Sequence, residues 1–225
     1  MSGHAFAENQ PDSFAFTPEN ETKADALIAK YPVGRQASAV IPLLDLAQRQ
    51  HDNWLPRVAI EAVAKRLDMA PIRVLEVVTF YTMFNLKPVG KYFLQACTTT
   101  PCWLRGSDAM MKCIKDKLGL DNHGSSDDGM FSLLEVECLG GCVNAPILQV
   151  NDDFYEDMDY GATAELLEAL KQSKPPPVGS MKGRNMSESS AGATSLTSLR
   201  ETEAAYVPKP AAEAPAEELL DGGES

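Results

Sequence analysis

The chain has 225 residues, 44% of them hydrophobic, with 20 Lys and Arg against 32 Asp and Glu and a formal net charge of -12. The apolar share supports a packed core and excludes wholesale disorder, while the acidic balance excludes a phosphate-backbone partner, and with it nucleic-acid binding. No apolar run approaches the roughly 18 residues of a membrane-spanning helix, so direct membrane insertion is not expected.

The N-terminus, Met1-Ser2-Gly3-His4-Ala5-Phe6-Ala7-Glu8, has no basic or apolar leader, and the first Arg is Arg35. Neither a secretory signal nor a mitochondrial transit peptide is expected. A cytosolic, reducing setting follows, where cysteines are more often metal ligands or core residues than disulfide partners. Residues 1–16 read as an N-terminal extension and residues 17–86 as a small helical bundle. Thr17 is a predicted N-cap with Pro18 at the first helical position. Ala24, Leu27, Ile28 and Tyr31 then form one apolar stripe, and Pro32 ends the helix. A second helix carries Val40, Leu43, Leu44 and Ala47. A third starts near Pro56 with Ile60, Val63, Ala64 and Leu67. A fourth starts near Pro71 with Val74, Val77, Val78 and Tyr81. A single stripe on each predicts that they bury it against one another. The short turn Asp68-Met69-Ala70 imitates a DNA-binding helix-turn-helix, but the second helix offers only Arg73, with Glu76 one turn on. The pair is read as packing.

From Lys87 the period changes. Residues 92–96 read as a strand, Ser107–Leu118 as an amphipathic helix and Phe131–Val136 as a second strand. A hairpin over 147–150 and 153–155 turns at Asn151-Asp152, and a helix over 162–171 closes the unit, with Leu166, Leu167 and Leu170 inward. Strand, crossover helix, strand, hairpin and helix predict an α/β sandwich of thioredoxin-like type over residues 87–172. Residues 173–225 open on Lys174-Pro175-Pro176-Pro177, continue rich in Ala, Pro and Glu, and hold one aromatic, Tyr206. Such a segment is expected to be a flexible, disordered tail.

Four of the five cysteines form two pairs. Cys97 and Cys102 are spaced C-x4-C, and Cys138 and Cys142 are spaced C-x3-C. Each pair is expected just after one of the two strands. If those strands run parallel, both loops leave the sheet at the same edge and four thiolates converge. Structural zinc favours C-x2-C knuckles and often His, and His4, His51 and His123 lie within neither pair. A [2Fe-2S] cluster has two irons, each needing two thiolates, so separated pairs suit it better. Zinc and thiol redox chemistry stay open on spacing alone. Gly140 and Gly141 allow close backbone approach to an anionic centre. Cys102 stands shortly before the helix expected at Ser107, whose positive end favours thiolate. Cys113, on the inward face with Ala109 and Met110, reads as a structural core thiol.

The run Glu137-Cys138-Leu139-Gly140-Gly141-Cys142-Val143-Asn144-Ala145-Pro146, preceded by Cys97-x4-Cys102 and by Phe80-Tyr81-Thr82-Met83-Phe84, closely resembles the thioredoxin-like [2Fe-2S] subunit of respiratory complex I. In bacteria that family is the E subunit of NADH-quinone oxidoreductase; in mitochondria it is the small flavoprotein-fraction subunit. The resemblance covers residues 17–171 and leaves the tail outside. It implies that Cys97, Cys102, Cys138 and Cys142 ligate one [2Fe-2S] cluster. It also implies docking on an FMN- and NADH-binding flavoprotein subunit, among other peripheral-arm subunits of complex I, and single-electron exchange with that FMN. The enzyme so implied is a proton-translocating NADH:quinone oxidoreductase, peripheral on the inner face of the plasma membrane through the complex. No Gly-x-Gly-x-x-Gly follows a strand, so FMN and NADH sites are expected on the partner and no complete active site on this chain. Related modules occur in NAD-linked hydrogenases and formate dehydrogenases, and a zinc-stabilised interaction protein is the alternative of a different class.

Overall fold

The computed structural model describes residues 5–192 and Ser195. Residues up to Gly183 form one compact unit, and the chain from Arg184 forms a second. In the second, turns link Asn185 to Glu188 and Ser189 to Gly192.

Four helices open the first unit: α1 (Pro18–Ala29), α2 (Val40–Gln50), α3 (Arg57–Arg66) and α4 (Pro71–Phe80). Thr17 caps α1, its side chain accepting from Asn20 N, and Pro18 holds the first position. Only Ala24 of the α1 stripe is fully buried; Leu27, Ile28 and Tyr31 are half-buried at its margin. The α2 and α3 stripes are buried as expected, with Leu43, Leu44, Ala47 and Val63 closed to solvent. Leu67 and Tyr81 lie one residue beyond their helices, as C-caps. Phe16, Phe84 and Leu86 complete this core, and Phe6 and Phe14 of the N-terminal extension rest on it. In α4, Arg73 is paired with Glu76 at 2.9 Å, which leaves no spare cation on that helix for a phosphate.

The second core belongs to the sheet. Its strands are β1 (Tyr92–Cys97), β2 (Phe131–Val136), β3 (Leu148–Val150), β4 (Asp153–Glu156) and β5 (Gly179–Ser180). The helices are α5 (Thr100–Leu104), α6 (Ser107–Leu118) and α7 (Tyr160–Lys171). The order across the sheet is β2-β1-β3-β4-β5. β1 and β2 are parallel, as the crossover through α6 requires, and β3–β4 is the expected hairpin. Met110 and Ile114 of α6 join Leu166, Leu167 and Leu170 of α7 in a core with Leu94, Phe131, Leu133 and Leu148 of the strands. A bidentate pair joins the two parts: Arg49 of α2 donates to both oxygens of Asp152 in the β3–β4 turn, at 2.8 and 3.1 Å.

Three local expectations change. α5 falls in the first cysteine loop, where no helix was expected. α7 starts at Tyr160, capped by Asp159, two residues before the predicted start. The boundary at residue 173 is also too early. Tyr155 Oη donates to Pro176 O, β5 pairs parallel to β4, and Met181 packs on the sheet core. The cause is the open edge of β4, whose unpaired backbone groups take a further strand. The rest of the expected tail, residues 193, 194 and 196–225, lies outside the described residues.

Asp159 yields a pH prediction. The bond that its carboxylate accepts from Ala162 N, opposed by burial and aided by Lys182, holds it below the usual carboxylate range. A lowered folded value contributes stability that is complete above the unfolded pKa, about 4, and is lost as pH falls through the folded one. Asp159→Asn keeps the cap without the charge. It is expected to flatten this part of the acid limb, measured as urea midpoints between about pH 5 and pH 2.

Candidate metal centre

Both cysteine pairs sit at the same end of the parallel pair β1–β2. Cys97 is the last residue of β1, inside the strand rather than after it, and its register partner is Val136, the last of β2. The backbone needs only two more residues to reach Cys138. Cys97 N donates to Ile147 O at 3.2 Å, which brings the start of β3 alongside. Ala145, Ile147, Leu139 and Phe154 pack around Cys97 and Cys102, each of which is 1% exposed. Cys138 is exposed and Cys142 half-buried, with their sulfurs 3.4 Å apart.

The second loop reaches across to the first. The Leu139 amide lies close enough to Cys97 to favour its thiolate, and the Ile147 amide does the same for Cys102. Gly140 N donates to Cys138 Sγ at 3.4 Å, from a backbone at φ +85° that glycine adopts without strain. Gly141 allows contact instead: a Cβ there would lie 2.9 Å from Ile147 Cδ1. Thr99 Oγ1 lies 3.3 Å from Cys97 Sγ.

The thiols are not electrostatically alike. Burial opposes ionisation of Cys97, but the bonds from Thr99, Leu139 N–H and Cys102 outweigh it and hold the thiol below its ordinary value. Cys102 is pushed up to about 12, by burial first and then by its bond to Cys97. The helix-dipole expectation for Cys102 is therefore overturned. It lies buried inside α5, five residues before Ser107 of α6, whose N-cap is Gly106. In the outer pair, the bond to Cys138 raises the Cys142 thiol. Cys113 is fully buried on α6 and raised by that burial, as a core thiol should be.

Among the described residues no three His, Cys, Asp or Glu side chains gather around one point as a single ion would need. The sulfurs come as two pairs, and amide N–H groups from Leu139, Gly140 and Ile147 aim at three of them. Sulfur donors and inward amides suit an anionic iron–sulfur group, which needs two thiolates per iron. His51 packs against Trp54 and Phe14, and His123 lies beside β2; neither approaches the pairs. His4 lies outside the described residues.

Sequence reasoning missed α5, Thr99, Leu139 N–H and the enclosing Ile147 and Phe154. Only α5 had a signal: Thr99 at an N-cap position with Pro101 in the first turn. Thr99 acts through its hydroxyl two residues from Cys97, Leu139 through its backbone, and Ile147 and Phe154 arrive from just before β3 and from β4, none of which residue spacing reports.

The family model for the thioredoxin-like [2Fe-2S] ferredoxin matches residues 24–171. The E subunit of NADH-quinone oxidoreductase from Rickettsia bellii (strain RML369-C) is 56% identical over 158 residues, covering 70% of this chain and 92% of that protein. The mitochondrial NADH dehydrogenase [ubiquinone] flavoprotein 2 of Dictyostelium discoideum is 46% identical over 198 residues, 87% of this chain and 80% of that protein. That match is too long to end at Lys171, so this likeness extends beyond the 17–171 span of the motif resemblance. An NAD+-reducing [NiFe]-hydrogenase, solved in the air-oxidized state, shares the fold with a TM-score of 0.52 at 17% identity, over 59% of this chain. This chain spans only 23% of that hydrogenase chain. More than half identical to the Rickettsia protein across nearly that protein's whole length, the chain belongs to the thioredoxin-like [2Fe-2S] ferredoxin family that forms the E subunit of NADH-quinone oxidoreductase.

Proposed function

We propose that this chain is the electron-transfer subunit of a proton-translocating NADH:quinone oxidoreductase, respiratory complex I. In this reading it holds one [2Fe-2S] cluster on Cys97, Cys102, Cys138 and Cys142 and exchanges single electrons with the FMN of an NADH-binding partner. The observation that carries the reading is the meeting of two thiol pairs at one end of β1–β2, with backbone N–H groups turned toward the sulfurs. When bound, the cluster supplies a one-electron redox centre. The chain's own residues do the rest. The four thiols would release their protons to solvent and hold the irons as thiolates. Leu139, Gly140 and Ile147 offer amide dipoles that favour the negative charge gained on reduction. Ile147, Ala145 and Phe154 exclude water from the inner sulfurs, while the outer pair faces the surface.

That surface carries large apolar side chains next to the ligands. Trp103 is 55% exposed, Leu104 71% and Val143 67%. We place the flavoprotein subunit over them, because aromatic anchors of this kind dominate interface energetics. Trp103→Ser is expected to weaken binding of that subunit about tenfold or more, measured by co-purification at rising salt, with iron content unchanged. Among the described residues no helix is long and apolar enough to cross a membrane. Attachment to the inner face of the plasma membrane would then run through the complex.

The test is purification from the native host, with iron and acid-labile sulfide assays, low-temperature EPR of the dithionite-reduced sample and identification of co-purifying subunits. Two irons, two sulfides and a paramagnetic reduced state alongside a flavoprotein and quinone-reducing subunits are expected. A colourless preparation with one zinc and no signal removes the cluster. Hydrogenase or formate dehydrogenase partners would keep the cluster and reassign the complex.

A further inference from the structure

We propose that the segment after α7, residues 174–183, is a strap that positions the Cys138–Cys142 loop, with Ser180 as its positioning residue. The inference rests on the cluster reading above for its redox consequence, though not for its geometry.

The strap lies along β4. Gly179 and Ser180 pair with Tyr155 and Glu156, and Met181 N donates to Glu156 O at 3.0 Å. Lys182 Nζ lies 3.2 Å from Asp159 Oδ2. Ser180 Oγ donates to Asp157 Oδ2 at 2.6 Å, and Asp157 is only 3% exposed. A carboxylate so enclosed needs donors around it, and the strap brings one.

From there the bonds run to the cysteine loop. Asp157 N donates to Asn144 O at 2.7 Å, and Asn144 Nδ2 donates to the carboxylate of Glu156. Met158 N donates to Pro146 O at 3.1 Å. Asn144 is 4% exposed and ends the 3₁₀ turn that Cys142 begins. The end of β4 thus grips the residue two places after Cys142 by backbone and side chain, while the strap fixes that end of β4 from the other side. Removing the strap's donors should loosen the loop that bears the outer thiol pair, with the inner pair still enclosed by Ile147 and Phe154.

Full-length Ser180→Ala, which removes the hydroxyl, and Met181→Pro, which removes the amide donor, test this. Ser180→Thr, which keeps the hydroxyl, and Ser187→Ala, which lies beyond the strap, serve as controls. Hydrogen exchange of amides 140–144 is expected to quicken about fivefold or more in the first two, the loss of roughly one hydrogen bond. The reduced EPR g-values and the midpoint potential are expected to move with it. Ser180→Thr should restore both, and Ser187→Ala should change neither. Unaltered exchange and an unaltered spectrum in both strap variants would overturn the strap, as would an equal response in Ser187→Ala. If the wild-type chain proves to hold no iron, the cluster reading fails, and the exchange measurement still decides the strap.

Discussion

Replacing Cys97, Cys102, Cys138 or Cys142 singly with alanine is expected to abolish the native [2Fe-2S] signal, whereas Cys113→Ala should retain it. Two irons take four sulfur ligands with none to spare, and each of these residues supplies one in the proposed site. The structure sharpens the expectation within the set. Cys97 and Cys102 are each 1% exposed and walled by Ala145, Ile147, Leu139 and Phe154, so water is shut out from a lost sulfur's place, and the nearest side-chain oxygen, the neutral Thr99 hydroxyl beside Cys97, is a poor substitute for a thiolate. Those two variants should contain no iron at all. Cys138 and Cys142 open to solvent, so their variants are the ones in which an altered, residual centre can survive. Cys113 is buried on α6 with its thiol raised, and its loss should cost about 1 kcal/mol of stability through the small cavity alone. Iron content and reduced EPR of the five variants check this, and a native spectrum from any of the four would strike that residue from the ligand set.

Gly90→Val should be the most damaging single change outside the cysteines. A Cβ at Gly90 would lie 2.6, 2.8 and 2.9 Å from the C, N and Cα of Phe131. All three are backbone atoms of β2, so no rotamer change relieves the overlap. Gly90 N also donates to the buried Ser132 Oγ at 2.7 Å, a bond that any shift of the chain would break. The expected loss is about 3 kcal/mol or more, at the upper end of overpacking costs. Because β1 and β2 deliver the two cysteine loops, iron loading should fall as well. Urea unfolding of the variant against wild type measures the first effect and an iron assay the second; a midpoint matching wild type would refute the argument. Gly141→Ala should be far milder, since the nearest atom to its Cβ is the end of the flexible Ile147 side chain.

Much of the fold was legible because its signals are local. The stripes of α2 and α3, Thr17 with Pro18, and the switch to period two at Tyr92 each follow from residues within one or two turns of one another. The bounds of α6 and β2 match the sequence reading, the first because Gly106 and Gly119 bracket it in left-handed conformation. What was missed has no local signal or a weak one. α5 is five residues long and hidden in a cysteine loop. β5 is a Gly-Ser dipeptide whose strand character comes wholly from the edge of β4.

The candidate site divides the same way. The cysteine spacing and the parallel strands it presupposes already named the four thiols, and the loop around Gly140 identified the family. Spacing could not say which thiols are shielded, and here it misjudged Cys102. Its surroundings come from Ile147 and Phe154, some fifty residues away, and burial outweighs any dipole to push the thiol up to about 12. By itself, then, the sequence determined the longer elements and the family, and singled out four cysteines as candidates, since these depend on periodicity and motif. Tertiary structure alone decided the enclosure of the inner pair, the amides turned on the sulfurs and the strap on β4. Those depend on distant segments meeting, and desolvation and hydrogen bonding act through space rather than along the chain.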